Sequence, residues 1–536
     1  MSKKVLLIGL DGGTWKVFNS LIKEGKMVCL NQIVNSGCSG NLTSTIPPIT
    51  PSAWTSFLTG INPGKHGIFD FFNFDKESFC THTINAKSIK NKTLFDFMSE
   101  NNKSVLFHKI PITYPPRKVN GVMLSCFMTP NLDVDFTYPP ELKKEILTQF
   151  PDYQISPAKI LYENNPFSGG FDKYLNKMEN FLQQNKEIAF FLMKKYPADL
   201  CAIQFQSLDI LQHSLWPYLD ENHPLFNKEK YLKIISKYFE TLDDSIKQLK
   251  RLFETLYSDC ERLIIILSDH GFTRIDRFFN IQKWLIKKGL TFTKRRNIKT
   301  FLINNLIKID KFNIRRKLIS SKKYLNLLGD HYLSQIDSKR SSVCAIGNGW
   351  GNIFILIKDK ESIMKYIRDE LIKMRDPTTG RKVIKEVYFK KDVYHGTNIK
   401  NLPDVIAEPM PGYVIRTNLR LKEFGFIEVV NDTHLATHDL NGIIVFEGTS
   451  VVNSSEKINA KIYDITPTIL YFLGLQIPHY FDGTVLKTIF KKSFTENYSV
   501  RYCAASESSE RLDEEISLDL PEETLLVEKL KDLGYL

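Results

Sequence analysis

Cysteine is sparse and scattered. The 536 residues hold eight, Cys29, Cys38, Cys80, Cys126, Cys201, Cys260, Cys344 and Cys503, and none forms a C-x-x-C pair. That spacing excludes a thiolate zinc site and a disulfide framework, and the thiols read as reduced. Long apolar runs are missing as well. No stretch approaches the roughly 20 apolar residues that a membrane-spanning helix needs. Val5 to Leu10, behind two lysines, is too short for a signal-peptide core and ends in an aspartate. A cytoplasmic location is the default expectation. G-x-G-x-x-G is absent, which removes the dinucleotide fingerprint. GINPGKH has one residue too few between its glycines for a Walker loop, and His66 stands where Ser or Thr belongs.

General basicity is also lacking, despite a formal charge of +12. Lys287 to Lys323 carries thirteen Lys/Arg against the single acid Asp310, so the rest of the chain sums to zero. A polyanion, a membrane surface or an acidic partner could meet this segment; the alternative is the solvated face of a cap. The end of the chain is opposite in sign, with ten acids and three bases from Glu507 to Asp532. Hydrophobic residues at 43% and charged residues at 25% are ordinary for a globular protein, and the length suits one large α/β core with insertions.

What is present is a series of apolar runs that begin or end at ligand-type side chains. Val5 to Leu10 delivers Asp11 into a Gly-rich turn. Leu200 to Phe205 delivers Asp209, with His213 one helical turn further on, so that a carboxylate and an imidazole share a face. Leu263 to Leu267 delivers Asp269 and His270, and His438 sits in a loop before Ile443 to Phe446. Continuous apolar runs without alternation suit parallel strands covered on both faces, and open α/β sheets place ligands at the carboxyl ends of such strands. Each residue has a plainer reading: Asp11 as a helix N-cap, Asp209 and His213 as an exposed pair, Asp269 and His270 as a turn, His438 as a loop histidine.

Thr50 opens T-P-S-A-W, an apolar helical start. It reads as an N-cap with Pro at the first helical position, or as a hydroxyl beside a helix N-terminus that can receive a phosphate. Three Asp and three His around such a hydroxyl match the needs of two-metal phosphoryl transfer. Mixed oxygen and nitrogen donors suit zinc best, with manganese or iron as alternatives. Elsewhere, Thr93 to Pro116 predicts helix, turn and strand, and residues 130 to 195 are mainly helical. Phe354 to Leu356, Ile363 to Leu371 and Val383 to Tyr388 suggest a small αβ insert, and Asp464 to Gly474 a capped helix.

The ordered motifs L-D-G-G, T-P-S-A-W-T-S-F-L-T-G-x-x-P-G-K-H-G, D-x-x-x-H, S-D-H-G, T-H and D-I-T-P-T-I-L with D-G-T-V-L resemble the alkaline phosphatase superfamily, within it the type I phosphodiesterase/nucleotide pyrophosphatase branch. The resemblance runs from Val5 to about Leu486, without the basic insert. It implies a three-layer αβα sandwich with a mostly parallel central sheet and an inserted cap. The expected division is a core of 1–286 and 400–490, a basic cap of 287–399 and an acidic tail of 491–536. It also implies a small-molecule phosphoryl substrate, nucleotide-like or another phosphodiester, and two divalent cations. Thr50 becomes the nucleophile carrying a covalent phosphoryl group. Asp209, His213 and His438 hold one metal, and Asp11, Asp269 and His270 the second. Eukaryotic members carry an asparagine shortly after H-G-I; Phe71 aligns there, with Asn73 two residues on as the candidate substrate contact. T-P-S-A lacks the arginine of a sulfatase motif. The competing expectations are another phosphoryl-transfer reaction of the superfamily (phosphomutase, phosphonate hydrolase, phosphomonoesterase) or a non-catalytic polyanion-binding protein on the same scaffold.

Overall fold

The computed structural model describes residues 2–294, 333–417, 426–428, 435–504 and 520–532. The chain divides into two compact units, Met1–Asp70 with Asn85–Arg274 and Asp432–Asp513, and Phe71–Ile84 with Ile275–Asn431 and Glu514–Leu536.

The first unit is built on a nine-stranded sheet. In chain order its strands are β1 (Lys3–Leu10), β2 (Cys38–Thr43), β3 (Val105–His108), β4 (Gly121–Leu124), β5 (Thr137–Tyr138), β6 (Leu200–Phe205), β7 (Glu261–Leu267), β10 (Asn441–Gly448) and β11 (Ile458–Lys461), while β8 (Gly271–Asn280) and β9 (Ala436–Asp439) belong to a separate sheet. The spatial order is β11-β2-β10-β7-β1-β6-β3-β4-β5. From β7 through β4 every neighbouring pair is parallel, while β10 runs antiparallel to both β2 and β7. The apolar runs form the centre: all six residues of β6 are buried, as are Val5 to Leu10 of β1. Each such Val, Leu or Ile contributes roughly 1.5–3 kcal/mol on burial.

Helices cover both faces. On one, helix α1 (Thr50–Thr59) and the helix Ile465–Phe472 join a cluster with Val5, Leu7, Ile265 and Phe446. On the other, the helices Phe171–Lys195 and Glu240–Leu256 pack against β6 and β1. This is the mixed α/β architecture with a large, mostly parallel central sheet. Gly9 lets α1 sit close, because a Cβ there would lie 2.5 Å from the Trp54 ring. That contact sets the position of the helix that begins at Thr50.

The second unit has its own core. Val343–Ala345, Gly351–Ile355, Val405–Pro409 and Ile384–Phe389 form an antiparallel sheet in that order. Ile367 and Leu371 of the helix Glu361–Ile372 join its cluster with Leu285 and Tyr413. The hairpin Phe72–Asp75/Cys80–Thr83 belongs here: Phe74 packs on Phe354 at 4.9 Å, and Lys76 pairs with the buried Asp404 at 2.7 Å.

The boundary between units differs from the expected 286/287. β8 spans it: Gly271–Arg274 pairs with β9, and Ile275–Asn280 with Gly412–Arg416 and Phe426–Glu428. Hydrogen bonding along one strand, rather than a change in composition, decides where the insert begins. The expected tail 491–536 also divides: 491–504 belong to the first unit, the helix Leu520–Asp532 is assigned to the second, and 505–519 lie outside the described residues. Beyond residue 294, the basic segment 287–323 lies outside them too. Among the described residues no helix is long and apolar enough to cross a membrane, and the eight cysteines are free thiols.

Candidate active site

Three adjacent parallel strands, β7, β1 and β6, end at one edge of the sheet, with Gly9 level with both Leu267 and Gln204. Asp11 follows β1 directly, Asp269 and His270 follow β7, and Asp209 and His213 lie on helix α2 (Ser207–Leu219), which begins two residues after β6. His438 is not in a loop. It lies in β9, which pairs with the start of β8 so that His438 faces Phe272. Thr50 is the first residue of α1, and Ile49 is the N-cap, without a side-chain cap hydrogen bond. The expectation of Thr50 as N-cap shifts by one residue, and the shift matters. A capping hydroxyl is consumed by its own helix, whereas Thr50 Oγ1 is directed at His270 Nε2, 3.2 Å away.

The six acidic and imidazole side chains converge. Asp209 Oδ1 lies 3.3 Å from His438 Nε2 and 3.5 Å from His213 Nε2. His270 Nε2 lies 3.2 Å from Asp269 Oδ2 and 3.7 Å from Asp11 Oδ1. Ligand atoms of Asp209, His213 and His438 fall within 4.8 Å of one another, as do those of Asp11, Asp209 and His270. The geometry therefore places Asp209 in both groups, with Asp269 reaching the second through His270.

The donor chemistry fits divalent cations. Each imidazole donates Nδ1–H to a backbone carbonyl: His213 to Ala436 at 2.8 Å, His438 to Pro48 at 2.9 Å, His270 to Gly271 at 3.2 Å. A carbonyl only accepts, so in each neutral imidazole the proton sits on Nδ1 and Nε2 presents its lone pair to the cluster. His213 Nε2 and His438 Nε2 face each other at 3.1 Å, close enough to share a proton or a metal ion. Asp11 Oδ1 and Asp269 Oδ2 are buried and accept no hydrogen bond. Their other oxygens are held, by Gln204 Nε2 at 2.6 Å and by the Gly12 amide at 3.2 Å. Each carboxylate thus has one oxygen anchored and one facing the cluster.

Electrostatics agree. Burial pushes the Asp11 carboxyl well above the usual range, and the charges of Asp269 and Asp209 push it further. Burial lifts Asp269 to about 7. Asp209 moves down instead, because its imidazole neighbours, His213 first, outweigh its burial. Burial, aided by His438, holds His270 neutral well below its ordinary pKa. For His438, burial is outweighed by Asp209 and the pKa rises. Packing three carboxylates this closely without a counter-charge is costly, and divalent cations would relieve it.

Several contributors escaped the sequence reading. Gln204 holds Asp11, and its signal was a polar residue inside an otherwise apolar strand. Gln212 donates to the Gly12 carbonyl at 2.8 Å. Phe272 packs edge-on against His213, 4.8 Å between centroids, and stacks on Trp216. Ser268 ties the strand ends together, donating to the Gly13 carbonyl and accepting from the Ile443 amide, both at 2.8 Å. Asn73 lies in the hairpin of the second unit, paired with His82.

Comparison with known proteins gives a consistent picture. The family model for type I phosphodiesterase/nucleotide pyrophosphatase matches residues 5–440. Human ectonucleotide pyrophosphatase/phosphodiesterase 5 superposes with a TM-score of 0.53 at 16% identity, over 91% of this chain and 100% of that one. Phosphonoacetate hydrolase from Sinorhizobium meliloti, in complex with phosphonoformate, gives 0.54 at 12% identity, over 88% and 95%. An inactive threonine-to-alanine variant of the murine ectonucleotide enzyme, in complex with AMP, gives 0.50 at 13%, over 91% and 100%. No curated protein matches the chain by sequence.

Proposed function

The chain belongs to the type I phosphodiesterase/nucleotide pyrophosphatase family, and from its site we propose that it hydrolyses a phosphodiester or pyrophosphate through a covalent phosphothreonine on Thr50. The observation that carries this reading is the Thr50 hydroxyl, buried and uncapped, 3.2 Å from His270 Nε2 within the Asp/His cluster.

Asp209, His213 and His438 would hold one divalent cation, and Asp11, Asp269 and His270 the second, with Asp209 near enough to serve both. Zinc suits these donors best, manganese or iron next. Bound there, the cations supply Lewis acidity that stabilises the entering and departing oxygens of an in-line displacement. The chain's own residues do the rest. Thr50 Oγ1 attacks phosphorus as its proton passes to solvent, and the leaving group departs with the P–O bonding electrons and takes up a proton from solvent. Water then attacks the phosphothreonine, returning the Thr50 hydroxyl and releasing the phosphoryl product. The first turn of α1 directs backbone amides and the helix dipole toward the phosphoryl oxygens. The three Nδ1–H anchors hold the imidazole rings in place with Nε2 aimed at the cluster.

The inactive threonine variant of the murine relative, bound to AMP, supports a threonine in this role and a nucleotide-like substrate class. The test pairs metal analysis of the purified protein with hydrolysis of bis-p-nitrophenyl and mono-p-nitrophenyl phosphate in added zinc or manganese. Two metals per chain and faster diester cleavage are expected. A reconstituted protein that binds no metal and cleaves neither ester would overturn the reading in favour of a binding scaffold.

A further inference from the structure

The second unit contains a cavity of about 450 Å3 that plays no part in the chemistry above. Its walls combine two chemistries. Phe79, Leu356 and Ile357 make an apolar side, and Lys76, Lys339, Lys358 and Lys360 surround it, against Glu77 as the one acid among the described lining residues. The apolar side is fixed from below. Phe79 packs edge-on to Phe74 at 5.4 Å, and Phe74 to Phe354 at 4.9 Å.

Among the described residues the lysine side has more positive charge than its carboxylates neutralise. Lys76, Lys360 and Lys390 all converge on one buried carboxylate, Asp404, at 2.7, 3.1 and 3.0 Å. Asp404 also accepts the Ile355 amide at 2.8 Å, so its two oxygens are fully engaged. Three ammonium groups share this one carboxylate, two of them, Lys76 and Lys360, from residues that line the cavity, and Lys339 and Lys358 line it as well. Burial lowers the Lys76 pKa, and repulsion from Lys360 and Lys390 acts in the same direction. The volume exceeds what an inorganic anion fills and falls in the range of small-molecule sites.

We propose that this cavity binds an organic phosphate: a dianionic head among the lysines and an aromatic or aliphatic body against Phe79 and Ile357. The site is separate from the Asp/His cluster and does not depend on the reading given for it.

The probe is phenylphosphonate, titrated calorimetrically into the metal-loaded full chain, with inorganic phosphate and benzyl alcohol for its two halves. The charge reversal K339E/K358E alters two exposed side chains, so folding and turnover of bis-p-nitrophenyl phosphate should be unchanged. A binding event is expected that weakens at least tenfold in K339E/K358E and with salt raised from about 0.05 to 0.5 M. Phe79→Ala should weaken phenylphosphonate more than phosphate. Phenylphosphonate binding that K339E/K358E leaves intact, or no binding event beyond the one that inhibits diester turnover, would overturn the proposal.

Discussion

Gly12→Ala tests whether the cluster is held by packing as tightly as the geometry implies. Gly12 has a φ of +68°, where an L side chain is strained, and an alanine there costs about 1–2 kcal/mol on backbone grounds. The new Cβ would also lie 2.5 Å from Phe272 Cε2 and 2.8 Å from Cδ2. Ordinary carbon contact needs about 3.5 Å, so the ring must move by about 1 Å. It has nowhere to go: Phe272 is fully buried between His213 and Trp216, and His438 is 5.4 Å away by centroids. Overpacking of this kind adds about 1–3 kcal/mol. The expected total is about 2–5 kcal/mol of destabilisation. Displacing the imidazoles through Phe272 should cost about 100-fold in kcat/KM, the usual penalty for misplacing a catalytic group by about 1 Å. Denaturant unfolding and diester hydrolysis in saturating zinc measure the two effects. In a Phe272→Leu background the steric part should vanish and leave only the backbone part, a coupling that a double-mutant cycle reads directly. A Gly12→Ala protein with unchanged stability and turnover would refute the account.

Thr50→Ala should lower turnover by about 10³-fold or more while metal content stays intact, and Thr50→Ser should keep part of it; equal turnover in Thr50→Ala removes the residue from its role. Gln204→Leu deletes the 2.6 Å anchor of Asp11 and should weaken zinc binding about 10–100-fold in a competition assay, with little change in fold by circular dichroism. The charge of Lys76, with its lysine neighbours, overcomes the burial of Asp404 and holds its carboxyl down at about 2. Its unfolded value is about 3.9, so the stabilisation, about 2.5 kcal/mol, is fully present above about pH 5 and is lost as pH falls through 2. Unfolding of the second unit followed from pH 5 to 2 should show this loss, and Asp404→Asn should flatten it.

The strands that carry the site were legible because they are buried on both faces. Val5 to Leu10 and Leu263 to Leu267 are apolar runs without a polar residue, Leu200 to Phe205 is broken only by Gln204, and each lies within an observed strand. A run of that kind has one place in an α/β fold, the middle of the sheet, and the residues just after it emerge at the carboxyl edge. Strand β9 was illegible for the opposite reason. Its four residues, Ala-Thr-His-Asp, have no apolar pattern, and the strand exists only because Gly271–Arg274 offers it a partner more than 160 residues earlier in the chain. The same holds for the hairpin Phe72–Asp75/Cys80–Thr83. It comes directly after the site motif in sequence, and its place in the second unit is decided by Lys76 reaching Asp404.

That contrast explains why the ligand types could be read while their supports could not. Asp and His at the ends of apolar runs are conspicuous, because a titratable group beside a hydrophobic strand needs a reason. The groups that orient them are backbone carbonyls of Pro48, Ala436 and Gly271 and the side chain of Gln204, and carbonyls have no signature in sequence at all. Yet these anchors make the cluster directional. With the Nδ1 bonds made, the three Nε2 atoms and the unbonded oxygens of Asp11 and Asp269 have only one direction left, toward one another and toward Thr50. Replacing the residues around Pro48 so that its carbonyl turns away should therefore disturb His438 as much as changing a ligand. It frees His438 Nδ1, allows the other tautomer, and puts a proton where the metal-facing lone pair was.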